Sequence, residues 1–122
     1  MKLEHNQPVI MTRSVMLSMA NSAGHLFGGT LMSGITAHRF AWTRGTTAAV
    51  KGMNFYVPIP YGTVLQLEGR VTRVGNTSME VEVVAWLEPE QEEQEPVRAA
   101  DALFVYVSLD ENRKPKKIQR SL

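Results

Sequence analysis

Residues Asn21 to Arg44 read NSAGHLFGGTLMSGITAHRFAWTR, and the fold turns on this stretch. A polar loop, Asn21 to His25, runs into Gly28-Gly29. Beyond it Leu31, Ile35, His38 and Trp42 recur at helical spacing, while Gly34, Ala37 and Ala41 give a second, narrow stripe. The spacing predicts the chain's one long helix, starting at the two glycines and stopping near Arg44, with Gly45 as its C-terminal cap. Two glycines cost helix propensity that serine or aspartate at the cap would supply. Two reasons for them stand side by side. Bare backbone and unpaired first-turn N–H groups suit a carbonyl oxygen or a developing oxyanion; equally, glycines let a helix cross a sheet tightly.

The chain has 122 residues, 43% hydrophobic and 20% charged, which fits a single domain, 1–122, able to bury a moderate core. A net charge of +1 gives no reason to expect nucleic acid as a partner, and the clustered basic residues lie in the C-terminal tail without interleaved aromatics. Cysteine is absent, which excludes thiol catalysis, disulfides and thiolate metal sites; no metal site is expected. No apolar run approaches the length of a membrane span or a signal-peptide core, so a soluble, cytoplasmic protein with no membrane partner is the expectation.

Around the helix the pattern is β. Residues 8–18 read as a strand by their β-branched content. A second strand is expected over Thr46 to Val57, ended by Pro58-Ile59-Pro60 and a turn at Tyr61-Gly62. Thr63 to Val74 and Met79 to Leu87 form an antiparallel hairpin around Gly75-Asn76-Thr77-Ser78, with Glu80 and Glu82 alternating against Met79, Val81 and Val83. The acidic run 88–96 reads as a solvated connection between strands, with a regulatory or partner-binding loop as the alternative. Val97 to Leu109 is apolar on both faces and belongs in the middle of a sheet. The tail 110–122, with Arg113, Lys114, Lys116, Lys117 and Arg120, either frays or folds back near a site. One apolar helix and about five strands give an α+β architecture, a curved antiparallel sheet wrapped round a central helix. Its open edge and unused face would be relieved by pairing with a second copy.

Four ordered segments resemble one family. Asn-x-x-Gly-x-Leu-Phe-Gly-Gly-x-Leu-Met-Ser (21–33), Met53-Asn54-Phe55 with Pro58-Ile59-Pro60-x-Gly62, Arg73-Val-Gly75-Asn-Thr77-Ser78, and Ala102-Leu-Phe104-x-Tyr106-Val with Asp110 and Lys114-Pro115 are similar to the hot-dog-fold acyl-CoA thioesterases. The branch is the broad-specificity acyl-CoA hydrolases of bacteria and eukaryotic cytosol, and the likeness runs from about Val9 to Ile118. It implies the hot-dog fold, hydrolysis of an acyl-CoA thioester without a further cofactor, and sites between subunits of a homodimer, assembled in some members into tetramers or hexamers.

The resemblance also implies residue roles. Backbone N–H at the helix start, here Phe27-Gly28-Gly29, would polarise the thioester carbonyl, and an acidic helix residue would act as base or nucleophile. That position is Thr36, which cannot take a proton as a carboxylate does. Thr36 lies two turns beyond Gly29, roughly 10 Å along the axis, so a site built from both needs two subunits. His25 is the candidate replacement base, with a capping role as the alternative. His38 points away and is expected to pack. Asp101 is expected to pair with Arg70 or Arg98. Asn21 and Asn54 either orient a carbonyl or water or stabilise loops. Arg73, Thr77, Ser78 and Lys116 are candidates for coenzyme A; Phe27, Met32 and Phe55 for the acyl chain, with Met53 better placed in the core. A non-catalytic hot-dog protein that binds a thioester is the alternative, and a dehydratase ranks third.

Overall fold

The computed structural model describes residues 9–14, 22–60 and 63–122. Its elements are β1 (Val9–Ser14), α1 (Ser22–Ala41), β2 (Arg44–Phe55), β3 (Val64–Val74), β4 (Ser78–Leu87) and β5 (Val97–Leu109). The five strands form one antiparallel sheet in the order β1-β3-β4-β5-β2. The β3–β4 hairpin and the central place of β5 follow the alternation in the sequence. The order does not: β2 crosses to pair with β5, so β1 and β2 are the edges. Register shifts in β2, β3 and β5 mark irregularities that bend strands and let a sheet curl over a helix.

One sheet face packs on α1. Val71 is opposite Val81, and Val81 opposite Phe104; with Met79, Val83 and Ala102 these side chains bury against Met32, Ala37 and Phe40. Phe104, Met32 and Val81 are fully buried, each such side chain contributing about 1.5–3 kcal/mol. The outward-facing helix stripe is the surprise. Leu31, Ile35 and Trp42, the residues whose recurrence reveals the helix, are exposed, while Met32, Ser33, Thr36, Ala37 and Phe40 face the sheet. Apolar residues lie all round this helix, so periodicity finds it without saying which side is covered.

Both helix ends differ from expectation. The helix begins at Ser22, six residues before Gly28, and ends at Ala41. Gly45 is therefore not its cap but part of β2, where an added Cβ would lie 1.8 Å from the Val107 carbonyl oxygen. The chain instead turns at Trp42, which takes a left-handed φ of 52° after donating its N–H to the His38 carbonyl at 2.7 Å. The second strand accordingly starts at Arg44 and ends at Phe55, with the Tyr56 and Val57 N–H groups both turned to the Ala99 carbonyl. The expected strand residues 8 and 15–18, and the turn at Tyr61-Gly62, lie outside the described residues.

The tail folds back. Lys116 donates its N–H to the Ser108 carbonyl and Ile118 to that of Asn76, both at 2.8 Å, and Ile118 joins the core. Arg120 lies 4.5 Å above the Phe40 ring and donates to the Phe40 carbonyl at 2.8 Å, supplying a cation and a donor at the helix C-terminus.

Candidate active site

Position 36 is closed off within the protomer. Thr36 is 2% exposed, and its hydroxyl donates to the Met32 carbonyl at 2.7 Å. Its oxygen faces bare backbone at Gly69 on β3, where a Cβ would come within 2.1 Å of Thr36 Oγ1 and 3.1 Å of Met32 Cγ. Threonine and glycine are thus a steric pair, and the hydroxyl's hydrogen is spent on the helix backbone. Ser33, one turn before, is likewise buried with its hydroxyl on the Thr30 carbonyl.

The two glycines lie inside the helix rather than at its start, so the regular i→i−4 ladder occupies their N–H groups. That removes the basis for a Phe27-Gly28-Gly29 oxyanion site at a helix terminus; the unpaired N–H groups belong to the turn that begins at Ser22. The glycines instead serve the helix–sheet contact. A Cβ at Gly29 would meet Phe104 Cζ at 2.7 Å, and one at Gly28 would meet Leu67 Cδ1 at 3.5 Å. His25 falls in the first helical turn and Phe27 in the next, their side chains outside the described residues, as is Asn21. Along the helix His25 and Thr36 are separated by about 16 Å.

The candidates separate to the two ends of the domain. At the end where the helix begins, Asn54 and Phe55 close β2. Asn54 does not face the interior: its amide donates to Asp101 Oδ1 at 3.1 Å. Phe55, paired with Ala100, sits on the opposite sheet face and is exposed. Met32 is fully buried in the core, and Met53 packs against the core as expected. At the other end, Arg73, Thr77 and Ser78 mark the β3–β4 hairpin, and the Thr77 carbonyl accepts the Ser108 N–H at 2.8 Å. Lys116 lies there too, beside Trp42 and the helix C-terminus in a concavity of about 440 Å³. A helix of 20 residues spans roughly 30 Å, so one protomer keeps these two groups apart.

Further features complete the surface. An open trough of about 640 Å³ runs between Leu31, Gly34, Ile35 and His38 of the helix and Thr46, Thr47 and Tyr106 of the sheet. His38 packs as expected, its Nδ1 3.0 Å from the Thr43 carbonyl and its ring edge-on to Trp42. The Thr43 and Ser108 hydroxyls, both buried, share a hydrogen bond that ties the helix end to β5. On the outer sheet face Asp101 gathers Asn54, Tyr56 and Arg98. Burial pushes its carboxyl up, but the hydrogen bonds from Arg98, Tyr56 and Asn54 outweigh that and hold it below the usual carboxylate range. The Gly69 partnership was open to inference: glycine at an inward position of the alternation Leu65, Leu67, Gly69, Val71 marks close approach. Among the described residues no helix is long and apolar enough to cross a membrane.

A protein-family model described as the thioesterase superfamily matches residues 15–94. An uncharacterized acyl-CoA thioester hydrolase of Zymomonas mobilis is 36% identical over 104 residues, covering 80% of this chain and 69% of that protein. The acyl-CoA thioester hydrolase YciA of Escherichia coli is 31% identical across 97% of this chain and 98% of its own length. Among solved structures, a mutant acyl-CoA hydrolase of Staphylococcus aureus in complex with coenzyme A matches with a TM-score of 0.84 at 25% identity, over 91% of this chain and 70% of that one. Mutants of that enzyme replace an asparagine and, fifteen residues further on, an aspartate. A hexameric broad specificity acyl-coenzyme A thioesterase matches with a TM-score of 0.78 at 27% identity, over 96% and 85%.

Proposed function

The chain belongs to the thioesterase superfamily, and we propose that it hydrolyses acyl-CoA thioesters to coenzyme A and a carboxylic acid. The observation that carries this is the near full-length likeness to an acyl-CoA thioester hydrolase, 97% of one chain against 98% of the other. The coenzyme A complex of the staphylococcal structure supports the same substrate class.

The catalytic arrangement must differ from that of an acid-bearing relative. Asn21 and Thr36 stand fifteen residues apart, the separation of the asparagine and aspartate replaced in the staphylococcal enzyme. This supports Thr36 as the position an aspartate holds there. With its hydrogen committed to Met32 and its oxygen against Gly69, Thr36 is no base. We assign that role to His25: it accepts the proton of the water that attacks the thioester carbon, first-turn N–H groups of α1 stabilise the oxyanion, and as that intermediate collapses the C–S bond breaks and His25 returns the proton to sulfur, so that coenzyme A leaves as the thiol. Arg73, Thr77, Ser78 and Lys116 hold the coenzyme, and Phe55 meets the acyl chain.

A homodimer joins the separated groups. Two protomers packed with antiparallel helices bring the hairpin end of one to the helix start of the other. The exposed Leu31, Ile35 and Trp42 and the open β2 edge supply apolar surface and backbone donors for such a contact. Assembly into a hexamer is supported by the hexameric relative, and a cytosolic place by the mouse relative named a cytosolic acyl coenzyme A thioester hydrolase, of which this chain covers 27%.

Free-thiol release from acyl-CoA substrates of increasing chain length tests the reading. The native protein is expected to turn over, and His25→Ala to lose about a hundredfold or more. The closed position of Thr36 favours a second reading, a thioester-binding protein without turnover. Native protein that binds acyl-CoA but releases no thiol, with turnover appearing in Thr36→Asp, would establish that second reading and overturn hydrolysis.

A further inference from the structure

The cluster around Asp101 lies on the sheet face opposite the helix and contains no group given a catalytic role, yet it is built as a fixed clamp. The Asp101 side chain is only 12% exposed. Its Oδ1 accepts the Asn54 amide at 3.1 Å; its Oδ2 accepts the Tyr56 hydroxyl at 2.7 Å and the Arg98 guanidinium at 2.7 and 3.2 Å. Arg98 also reaches Glu82 at 3.7 Å, which Arg70 holds at 3.2 Å. Two of the clamp's ligands, Asn54 and Tyr56, flank one residue, Phe55.

Alternation then fixes what the clamp controls. Asn54 pairs with Asp101 on the outer face, so Phe55, paired with Ala100, is directed to the face that carries α1. The helix lies over β5 and β3: the space beside Gly29 is filled by Phe104 and that beside Gly34 by Tyr106, both of β5, while Gly28 faces Leu67 and Thr36 faces Gly69, both of β3. Five helical residues, about 7.5 Å, thus match two strand residues, about 6.8 Å. Carried back at that ratio, the first helical turn at Ser22 lies level with about residue 101, and Phe55 with Ala100 lies just beyond it. The exposed Phe55 ring thus lies on the helix-bearing face at the end of β2 towards which the helix start points, and the outer side of this edge strand is held by side chains at two places, the Asp101 clamp and the Lys51–Glu80 ion pair at 2.8 Å.

We propose that Asp101 is a positioning residue for the acyl chain: by gripping Asn54 and Tyr56 from the outer face it sets the Phe55 ring as the acyl wall at the helix start, and so fixes chain-length preference. This rests on the thioesterase reading. The clamp touches neither substrate nor reacting atoms, so its loss changes affinity for long acyl groups and leaves coenzyme A alone.

The test is equilibrium binding of non-hydrolysable S-alkyl coenzyme A thioethers with ethyl, octyl and hexadecyl chains, and of coenzyme A itself, to the full chain. Asp101→Ala is expected to weaken the octyl and hexadecyl thioethers about tenfold, roughly 1.4 kcal/mol, with the ethyl thioether and coenzyme A unchanged. Tyr56→Phe, which removes one hydroxyl and keeps the ring, should move the same affinities in the same direction by less, and it carries the test where Asp101→Ala does not fold. Combined with Phe55→Ala, either change should add nothing to Phe55→Ala alone. Equal weakening at every chain length, native affinities in folded variants, or full additivity with Phe55→Ala overturns the inference while leaving the thioesterase reading intact. A native chain that binds none of the thioethers overturns both.

Discussion

Gly28 and Gly29 are adjacent, chemically identical and both inside the helix, and the structure gives alanine at the two positions opposite effects. In a helix interior, glycine to alanine brings about 0.8–1.0 kcal/mol from backbone entropy alone. At Gly28 the new methyl meets Leu67 Cδ1 at 3.5 Å, an ordinary contact, so Gly28→Ala should stabilise by about 0.5–1 kcal/mol. At Gly29 the methyl would sit 2.7 Å from Phe104 Cζ and 3.1 Å from Cε2, about an ångström inside the optimum for carbon pairs. Phe104 is fully buried between Val81 and Val50 on the neighbouring strands and has nowhere to swing. Overpacking of that kind costs about 1–3 kcal/mol, so Gly29→Ala should lose about 0.5–2 kcal/mol net. Urea unfolding at one fixed protomer concentration reads both, since assembly makes apparent stability concentration-dependent. Phe104→Leu should rescue Gly29→Ala relative to its effect on the native chain. Shifts of the same sign at the two glycines, or no rescue by Phe104→Leu, would refute the packing account. Thiol release adds a second reading, because a Gly28→Ala protein that is more stable but inactive would restore the bare glycine backbone as the substrate's approach point.

Gly69→Ala should cost more than 3 kcal/mol, because its methyl would overlap Thr36 Oγ1 at 2.1 Å, and Thr36→Ala in the same chain should recover part of the loss in urea midpoint. Ending the chain after Lys117 removes the buried Ile118 and the Arg120 contacts to Phe40, and thermal unfolding should show a loss of about 2–4 kcal/mol, with Arg120→Ala alone accounting for about 1. The carboxyl of Asp101 titrates below its unfolded value of about 3.9 despite its burial, through Arg98, Tyr56 and Asn54. Its contribution to stability is thus complete above that unfolded value and disappears as pH falls through the folded one. Urea midpoints between about pH 5 and 3 should fall more steeply for the native chain than for Asp101→Asn.

The elements were legible wherever one physical pattern acted alone. The hairpin of β3 and β4 shows in its alternation of Met79, Val81 and Val83 with Glu80 and Glu82, and β5 in being apolar on both faces. The helix start was not legible, because Gly24, Gly28 and Gly29 look like a loop to any scale of local propensity. The signal available was Asn21, a favoured cap residue directly before Ser22. Tertiary contact outweighs propensity here: Gly29 lets Phe104 sit against the helix, and Gly45 lets β2 close on Val107. The same contacts hide the side of the helix. Leu31 and Ile35 are as apolar as the core, and only the neighbours Gly69, Phe104 and Tyr106 identify the face carrying Gly29, Met32 and Thr36 as the covered one.

Thr36 is where fold and chemistry meet most closely. A residue in that place must fit against Gly69, keep the helix one methyl's width from β3, and answer the loss of solvent around any charge it carries. Threonine meets these demands with one hydrogen bond to Met32 and no charge. A carboxylate would meet them only if a partner protomer or a substrate supplied the donors, since no cation contacts Thr36 among the described residues and an unpaired buried carboxylate protonates rather than stays charged. Thr36→Asp is therefore a test of the assembly as much as of catalysis. A stable, ionised aspartate at 36 requires a neighbour that a single protomer does not provide, whereas a destabilised protein with a neutral acid at that position means that this helix face stays closed in the assembled form and that the proton acceptor lies at the helix start.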